Sequence, residues 1–331
     1  MSPTAFEEVT VVVVTWERRD LVLACLGSLD EQTVAHRVLV VDNASSDGTV
    51  DQLEERFPRA RILRQTSNLG FAGGVSAALD AVDTRFVALL NNDAQADPRW
   101  LEASLAVLAD PTVVAVTSKL LLAADTSTIN NAGVVLLKSG YGADRGLGCP
   151  DDGRFASAAE VFGFSGGAVV MRTQAVKAAG GFDAGFFMYY EDTDLSWRLR
   201  LAGGRIIYSP GAVVHHLHAA SSDTRSEMFA FHNERNRLLM LLRNAPLGFA
   251  VWQSLRFVLT TASLAGKQLV GRTPPEDPVF RLALRLRVMV AVLSEIPASL
   301  RKRRRTPQPH RRTEVLRDWL GVPERPYRAE S

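Results

Sequence analysis

Apolar residues in the first third of the chain come in short unbroken blocks. Val9–Thr15 is a nearly continuous β-branched run, as expected of a strand covered on both faces. Residues 38–41, 60–64 and 86–90 read as further strands, while 21–29, 49–57 and 75–82 carry helical spacing. This alternation predicts an α/β fold with a doubly wound, mostly parallel sheet and ligands at the carboxyl ends of its strands. Asp42-Asn43 and Asn91-Asn92-Asp93 fall at two such ends.

Later elements are less regular. Residues 100–108 and 195–201 predict helices, and 113–117, 169–171 and 206–208 predict strands. Residues 126–155, rich in glycine and polar side chains, read as a mobile connection. Past Asn244-Ala245-Pro246 the chain turns to long apolar and basic helices. We therefore divide it into a catalytic-type domain over 1–244 and a helical appendage over 245–331.

Composition narrows the picture. The 331 residues are 47% hydrophobic and 22% charged, enough for a full core. A net charge of +2 gives no global drive toward nucleic acid. Basic residues nevertheless gather after Arg272 and end in Arg301-Lys302-Arg303-Arg304-Arg305. Cys25 and Cys149 have neither metal-type spacing nor a disulfide framework, which fits a reducing cytoplasm. The start lacks a basic n-region, and no uncharged apolar run has the length of a membrane span. The expectation is a soluble or peripheral protein.

The densest chemistry lies in Phe186-Phe187-Met188-Tyr189-Tyr190-Glu191-Asp192-Thr193-Asp194-Leu195. Three crowded carboxylates beside aromatic rings repel one another and lose solvation, which raises a carboxylate pKa and suits it to accept a proton. An acidic helix N-terminus explains the same residues. Asp42 can accept from a base N–H, while Asp47 or Ser46 can cap the following helix. Residues 68–74 (Asn68-Leu69-Gly70-Phe71-Ala72-Gly73-Gly74) open a helix with free N–H groups suited to a diphosphate, or form a simple glycine-rich turn. Asp93 can ligate a divalent cation shared with substrate oxygens. His216, in His215-His216-Leu217-His218, can complete such a site or simply be exposed.

Together and in this order, the motifs resemble family 2 of the inverting nucleotide-sugar glycosyltransferases, which have the GT-A fold. The resemblance covers residues 9–244. It implies donor contacts at Thr15, Asp42, Asn68, Gly70, Asn91 and Asn92. It further implies Mg²⁺ or Mn²⁺ on Asp93 and His216, and a general base at Asp192 beside Glu191. Asn91 replaces the first acid of the family's D-x-D motif, a variant of the rhamnosyltransferase-like branch. Ala219 replaces the glycine of the histidine element, and Val75-Ser76 stands where Asn is common.

The implied reaction is inverting transfer of a sugar to a lipid-linked saccharide acceptor in cell-envelope assembly. The donor is a pyrimidine nucleotide sugar, dTDP-rhamnose within this branch. Asp192 takes the acceptor proton, with Glu191 and Asp194 orienting it or binding acceptor hydroxyls.

In the appendage, Gln253, Arg256, Thr260, Ser263 and Lys267 form a polar stripe beside a wide apolar surface that includes Trp252, Leu255, Val258 and Leu259. Leu282, Leu286, Met289, Val290, Leu293, Ile296 and Leu300 share a second face, with Pro297 expected to kink or end its helix. Such helices suit an anionic membrane surface on the inner face of the cell membrane. They equally suit packing on the domain or on a second subunit, which leaves a homo-oligomer open. The basic cluster lacks the interleaved aromatics of a nucleic-acid site. A sugar nucleotidyltransferase would need glycines after the first strand, where Thr15-Trp16-Glu17-Arg18-Arg19 has none. A degenerate, scaffold-like relative is the non-enzymatic alternative.

Overall fold

The computed structural model describes residues 8–217, 225–271, 273, 275–306 and 310–327. It opens as successive β–α units: β1 (Val9–Thr15), α1 (Arg19–Asp30), β2 (Arg37–Asp42), α2 (Thr49–Arg56), β3 (Arg61–Arg64), α3 (Gly70–Asp80) and β4 (Phe86–Leu90). β3, β2, β1 and β4 are adjacent and parallel. Their unbroken apolar runs serve two cores. Val9, Val11 and Val13 face Val22 and Leu26 of α1, while Val12 and Val14 face Val75 and Ala78 of α3.

Next come β5 (Ala94–Ala96), α4 (Trp100–Val107), β6 (Val113–Leu122), β7 (Asp125–Asn131), β8 (Val134–Leu136), β9 (Gly142–Asp144), β10 (Ala159–Glu160), β11 (Ala168–Arg172), α5 (Thr173–Ala178), α6 (Glu191–Leu201) and β12 (Arg205–His216). Here the sheet becomes mixed. β11 runs antiparallel to β4 and β6, and β12 parallel to β6. The two apolar runs at 206–208 and 212–214 belong to this one strand, with a register shift between Ser209 and Val213.

Residues 126–155 are not the loose connection expected. β7 pairs with β6, β8 with β9, and Ile129, Ala132, Val134 and Leu136 are buried. Polar composition misled because Asn131 bonds within the fold, donating to Asp144 and accepting from Gly133 N.

The chain continues through α7 (Glu227–Asn244), α8 (Leu247–Leu269), α9 (Leu282–Arg305), α10 (Arg312–Trp319) and β13 (Arg325–Pro326). The break at 244–246 is the turn between α7 and α8. One core crosses it, uniting Phe162, Trp197 and Leu241 with Phe257, Val288 and Trp319. β13 then pairs with β10 at the sheet edge. α9 runs through the exposed Pro297 rather than ending there. Solvent can satisfy the backbone group that proline leaves without a donor.

Candidate active site

Register brings Asp93 and His216 together. β5 runs antiparallel to β12 and sets His216 opposite Ala94, one residue past Asp93. His216 Nε2 lies 3.1 Å from Asp93 Oδ1 and 3.3 Å from Asn91 Nδ2. On its other side Nδ1 faces Asn130 Oδ1 at 2.8 Å. An amide oxygen there favours the ring proton on Nδ1 and turns the Nε2 lone pair toward Asp93. A carboxylate oxygen and a lone pair so close suit a shared cation. Among the described residues no group of three or more His, Cys, Asp or Glu could hold a metal by itself. The pair therefore fits a hard cation only if substrate oxygens and water complete its shell, as is common for diphosphate-bound metal. Residues 218–221 of the histidine element lie outside the described residues.

The donor-side candidates cluster at the ends of β1, β2 and β4. Asn92 Nδ2 donates to Thr15 Oγ1 at 3.2 Å. Asp42 is buried and accepts from the backbone N of Ser45, three residues on, at 3.2 Å. Asp47 Oδ1 accepts from Thr49 N in the first turn of α2 at 3.1 Å. The expected free amides at the start of α3 are only partly present. Gly70 N donates to Asn68 Oδ1 at 2.8 Å, and Ala72 N to Phe187 O at 3.0 Å. Gly70 has φ +70° and sits where a Cβ would lie 2.2 Å from Phe187 O. Its glycine identity thus serves the approach of the 186–190 turn, which covers it, and those two N–H groups are not open to a diphosphate.

The acidic cluster is the first turn of α6, so the helix-terminus reading holds as well. Its three acids diverge. Asp194 is wholly buried, bonded to Arg198 at 2.7 Å, Arg243 at 3.1 Å and Asn244 at 2.7 Å. Its oxygens are committed to this network, which leaves none for acceptor hydroxyls, one of the two roles expected of it beside orienting Asp192. Glu191 is also buried, and its Oε2 has no partner among the described residues. Burial first, then Asp192 and Asp194, push its carboxyl well above the usual range. Asp192 alone is partly exposed. Burial raises its pKa, hydrogen bonds from Gly166 N and Thr193 oppose the rise, and Asp144 adds to it. A raised carboxylate pKa is what general-base work needs.

Several supporting residues escaped the sequence reading. Gly166 N donates to Asp192 Oδ2 at 3.0 Å, while Gly167 O accepts from Asn91 N at 2.9 Å. The Gly166-Gly167 pair therefore joins the candidate base to the D-x-D-like turn. The turn before α6 holds three non-glycine residues at positive φ, Phe187, Tyr189 and Tyr190, each at a cost of about 1–3 kcal/mol. α7 grips that turn. Asn236 Nδ2 donates to the carbonyls of Phe186, Met188 and Tyr189 at 3.0, 2.8 and 2.9 Å, and His232 stacks on Phe187. The signal was available, since Phe229, His232 and Asn236 recur at three- and four-residue steps.

Known proteins resemble this chain in family and in fold. The model of the family described as Glycosyl transferase family 2 matches residues 10–133. The N-acetylglucosaminyl-diphospho-decaprenol L-rhamnosyltransferase of Mycobacterium tuberculosis is 31% identical over 235 residues, 63% of this chain and 76% of that protein. The chain belongs to glycosyl transferase family 2. Its fold is GT-A. A mannosyltransferase from Pyrobaculum calidifontis, solved in complex with GDP-Man and Mn²⁺, superposes with a TM-score of 0.53 at 18% identity, covering 88% of each chain. TarS from S. aureus in complex with UDP gives 0.54 at 18% identity, covering 90% of this chain and 88% of that one. This family 2 glycosyltransferase is similar to rhamnosyltransferases, the Mycobacterium tuberculosis enzyme among them.

Proposed function

We propose that this glycosyltransferase moves L-rhamnose from dTDP-rhamnose, with inversion, to a lipid-linked saccharide acceptor in cell-envelope polysaccharide assembly. The observation that carries the choice of sugar and acceptor is the 31% identity across 76% of an L-rhamnosyltransferase that acts on a decaprenyl-diphosphate-linked sugar. The enzyme works in this reading at the inner face of the cell membrane. No helix among the described residues is long and apolar enough to cross one.

Asp192 removes the proton from the acceptor hydroxyl as that oxygen attacks the anomeric carbon, a contribution of about a hundredfold or more. Gly166 N and Thr193 N hold its carboxylate in one orientation. Thr15, Asp42, Asn68, Asn91 and Asn92 line the side of the nucleotide, with Asp42 set to read the base. Asp93 and His216 would hold Mg²⁺ or Mn²⁺. That ion supplies positive charge against the departing diphosphate. One base and direct displacement invert the anomeric centre without a covalent intermediate. A nucleotidyltransferase is disfavoured because the turn after β1 has no glycine and is tied to the turn after β2, with Glu17 N donating to Ser45 Oγ and Glu17 Oε1 accepting from Ser46 N.

The test is a donor screen with a short-chain prenyl-diphosphate N-acetylglucosamine acceptor, read by mass spectrometry with Mg²⁺, Mn²⁺ or chelator. Product from dTDP-rhamnose that chelation abolishes, with Asp93→Ala losing the metal-dependent part of donor binding, is the expected result. Transfer from another nucleotide sugar and none from dTDP-rhamnose overturns the donor. Full activity in chelator overturns the metal.

A further inference from the structure

α8 and α9 each bury one face and expose another, and both of the exposed faces are apolar. α8 turns Ala250, Gln253, Phe257, Thr261 and Leu264 inward. Its outward side carries Leu247, Val251, Trp252, Leu255 and Leu259, with Val251 58% and Leu259 55% exposed. α9 buries Leu284, Arg285, Val288 and Val292. Its outward stripe, Leu286, Val290, Leu293, Pro297 and Leu300, advances in three- and four-residue steps and leads into Arg304. Val290 and Leu293 are 68% and 63% exposed. A helix amphipathic toward the core needs no second apolar face, and exposed apolar surface of this kind marks a docking site.

Charge identifies the occupant. Residues 247–306 contain eleven Lys and Arg but only Glu276, Asp277 and Glu295 as acids. Some of these cations serve the fold. Lys302 Nζ lies 2.6 Å from Asp183, Arg303 donates to the carbonyls of Leu242 and Ala245 at the end of α7, and Arg285 donates to Thr261 and Phe257 O. Arg256, Lys267, Arg301, Arg304 and Arg305 are exposed. The Arg303–Ala245 bond ties the C-terminal end of α9, which also carries Arg301, Arg304 and Arg305, to the turn that precedes α8. An apolar surface with a cationic rim complements an anionic bilayer, where apolar side chains enter the acyl boundary and cations meet the headgroups. A like-charged copy of the same face would be repelled.

We infer that the outward faces of α8 and α9 form a docking surface for an anionic lipid bilayer. This deepens the lipid-linked-acceptor reading and rests on it for its purpose, but its evidence is independent of the donor sugar. The same elements lead to the site. α9 packs on α7, whose Asn236 holds the turn before Asp192, and Lys302 pairs with Asp183 just ahead of that turn.

The experiment sediments the full chain with neutral phosphatidylcholine vesicles and with vesicles containing phosphatidylglycerol, at low and high salt. Wild type should partition onto the anionic vesicles and weaken as salt rises. Arg301→Glu/Arg304→Glu/Arg305→Glu, which spares the packed Lys302 and Arg303, should lower partitioning by about tenfold or more. Leu259→Glu/Val290→Glu should also release the protein, with thermal unfolding verifying that both variants fold. A blue shift of tryptophan emission on binding should disappear in Trp252→Phe. Equal binding to neutral vesicles, or no change in either folded variant, overturns the proposal. So does a wild type that ignores vesicles and forms a dimer broken by Leu259→Glu/Val290→Glu. Vesicle binding without rhamnosyl transfer would fault the substrate reading alone.

Discussion

Gly166 N donates to Asp192 Oδ2 at 3.0 Å, and this single bond fixes how the candidate base meets the rest of the site. It leaves Asp192 as the partly exposed member of a cluster whose other two acids are buried. Asp192→Asn should keep that bond through its amide oxygen while losing the ability to take a proton. Turnover should fall by about a hundredfold or more with donor affinity near wild type. Glu191→Gln, lying beneath the surface, should cost far less. Steady-state kinetics with donor titration compares the two, and the opposite ranking would move the base to Glu191.

The second prediction concerns pH. Burial and Asp144 raise the Asp192 pKa against the pull of its hydrogen bonds. A base works deprotonated, so kcat/KM should fall as pH drops through that raised value, above the ordinary Asp range. Asp144→Asn removes a negative neighbour, lowers the Asp192 pKa and should shift this acidic limb to lower pH. A limb that stays in place or moves upward would remove Asp144 from control of the base.

Asn236 carries the third. Its amide serves three carbonyls of a turn with three positive-φ residues. Asn236→Ala should destabilise the fold by about 2 kcal/mol or more, because buried carbonyls lose their donor. It should lower kcat by about tenfold while donor binding persists. Asn236→Asp keeps the shape but offers an acceptor to acceptors and should not rescue. Wild-type kcat in Asn236→Asp would mean that the site needs only the volume.

Asp183 gives a stability test for the helical region. Burial opposes its ionisation, but Lys302 and Arg243 outweigh burial and hold its carboxyl below the usual range. A depressed folded pKa contributes stability above the unfolded value, about 3.9, and loses it as pH falls through the lower folded value. Asp183→Asn should therefore lower Tm at pH 7, with the gap from wild type closing below about pH 4. A gap independent of pH would assign the loss to packing.

Local pattern determined the parallel half of this sheet. β-branched runs such as Val9–Thr15 have one stable use, a strand covered on both faces, and the polar residues at their ends follow from that. Spacing alone also marked the apolar arcs of α8 and α9, but not which residues would pack, since Gln253 of the polar stripe is buried while Trp252 and Leu259 of the apolar arc are exposed. What the sequence could not express was partnership across long separations. Asp192, Gly166 and Asn91 meet through loops, Asp93 meets His216 through the β5–β12 register, and Asn236 reaches the 186–190 turn from a later helix. Residues 126–155 looked loose because their polar groups find partners inside the fold. Three acids within four residues are alike by composition. Only tertiary structure, through burial and hydrogen-bond supply, makes Asp194 an anchor, Glu191 a buried acid and Asp192 the one partly exposed carboxylate of the three.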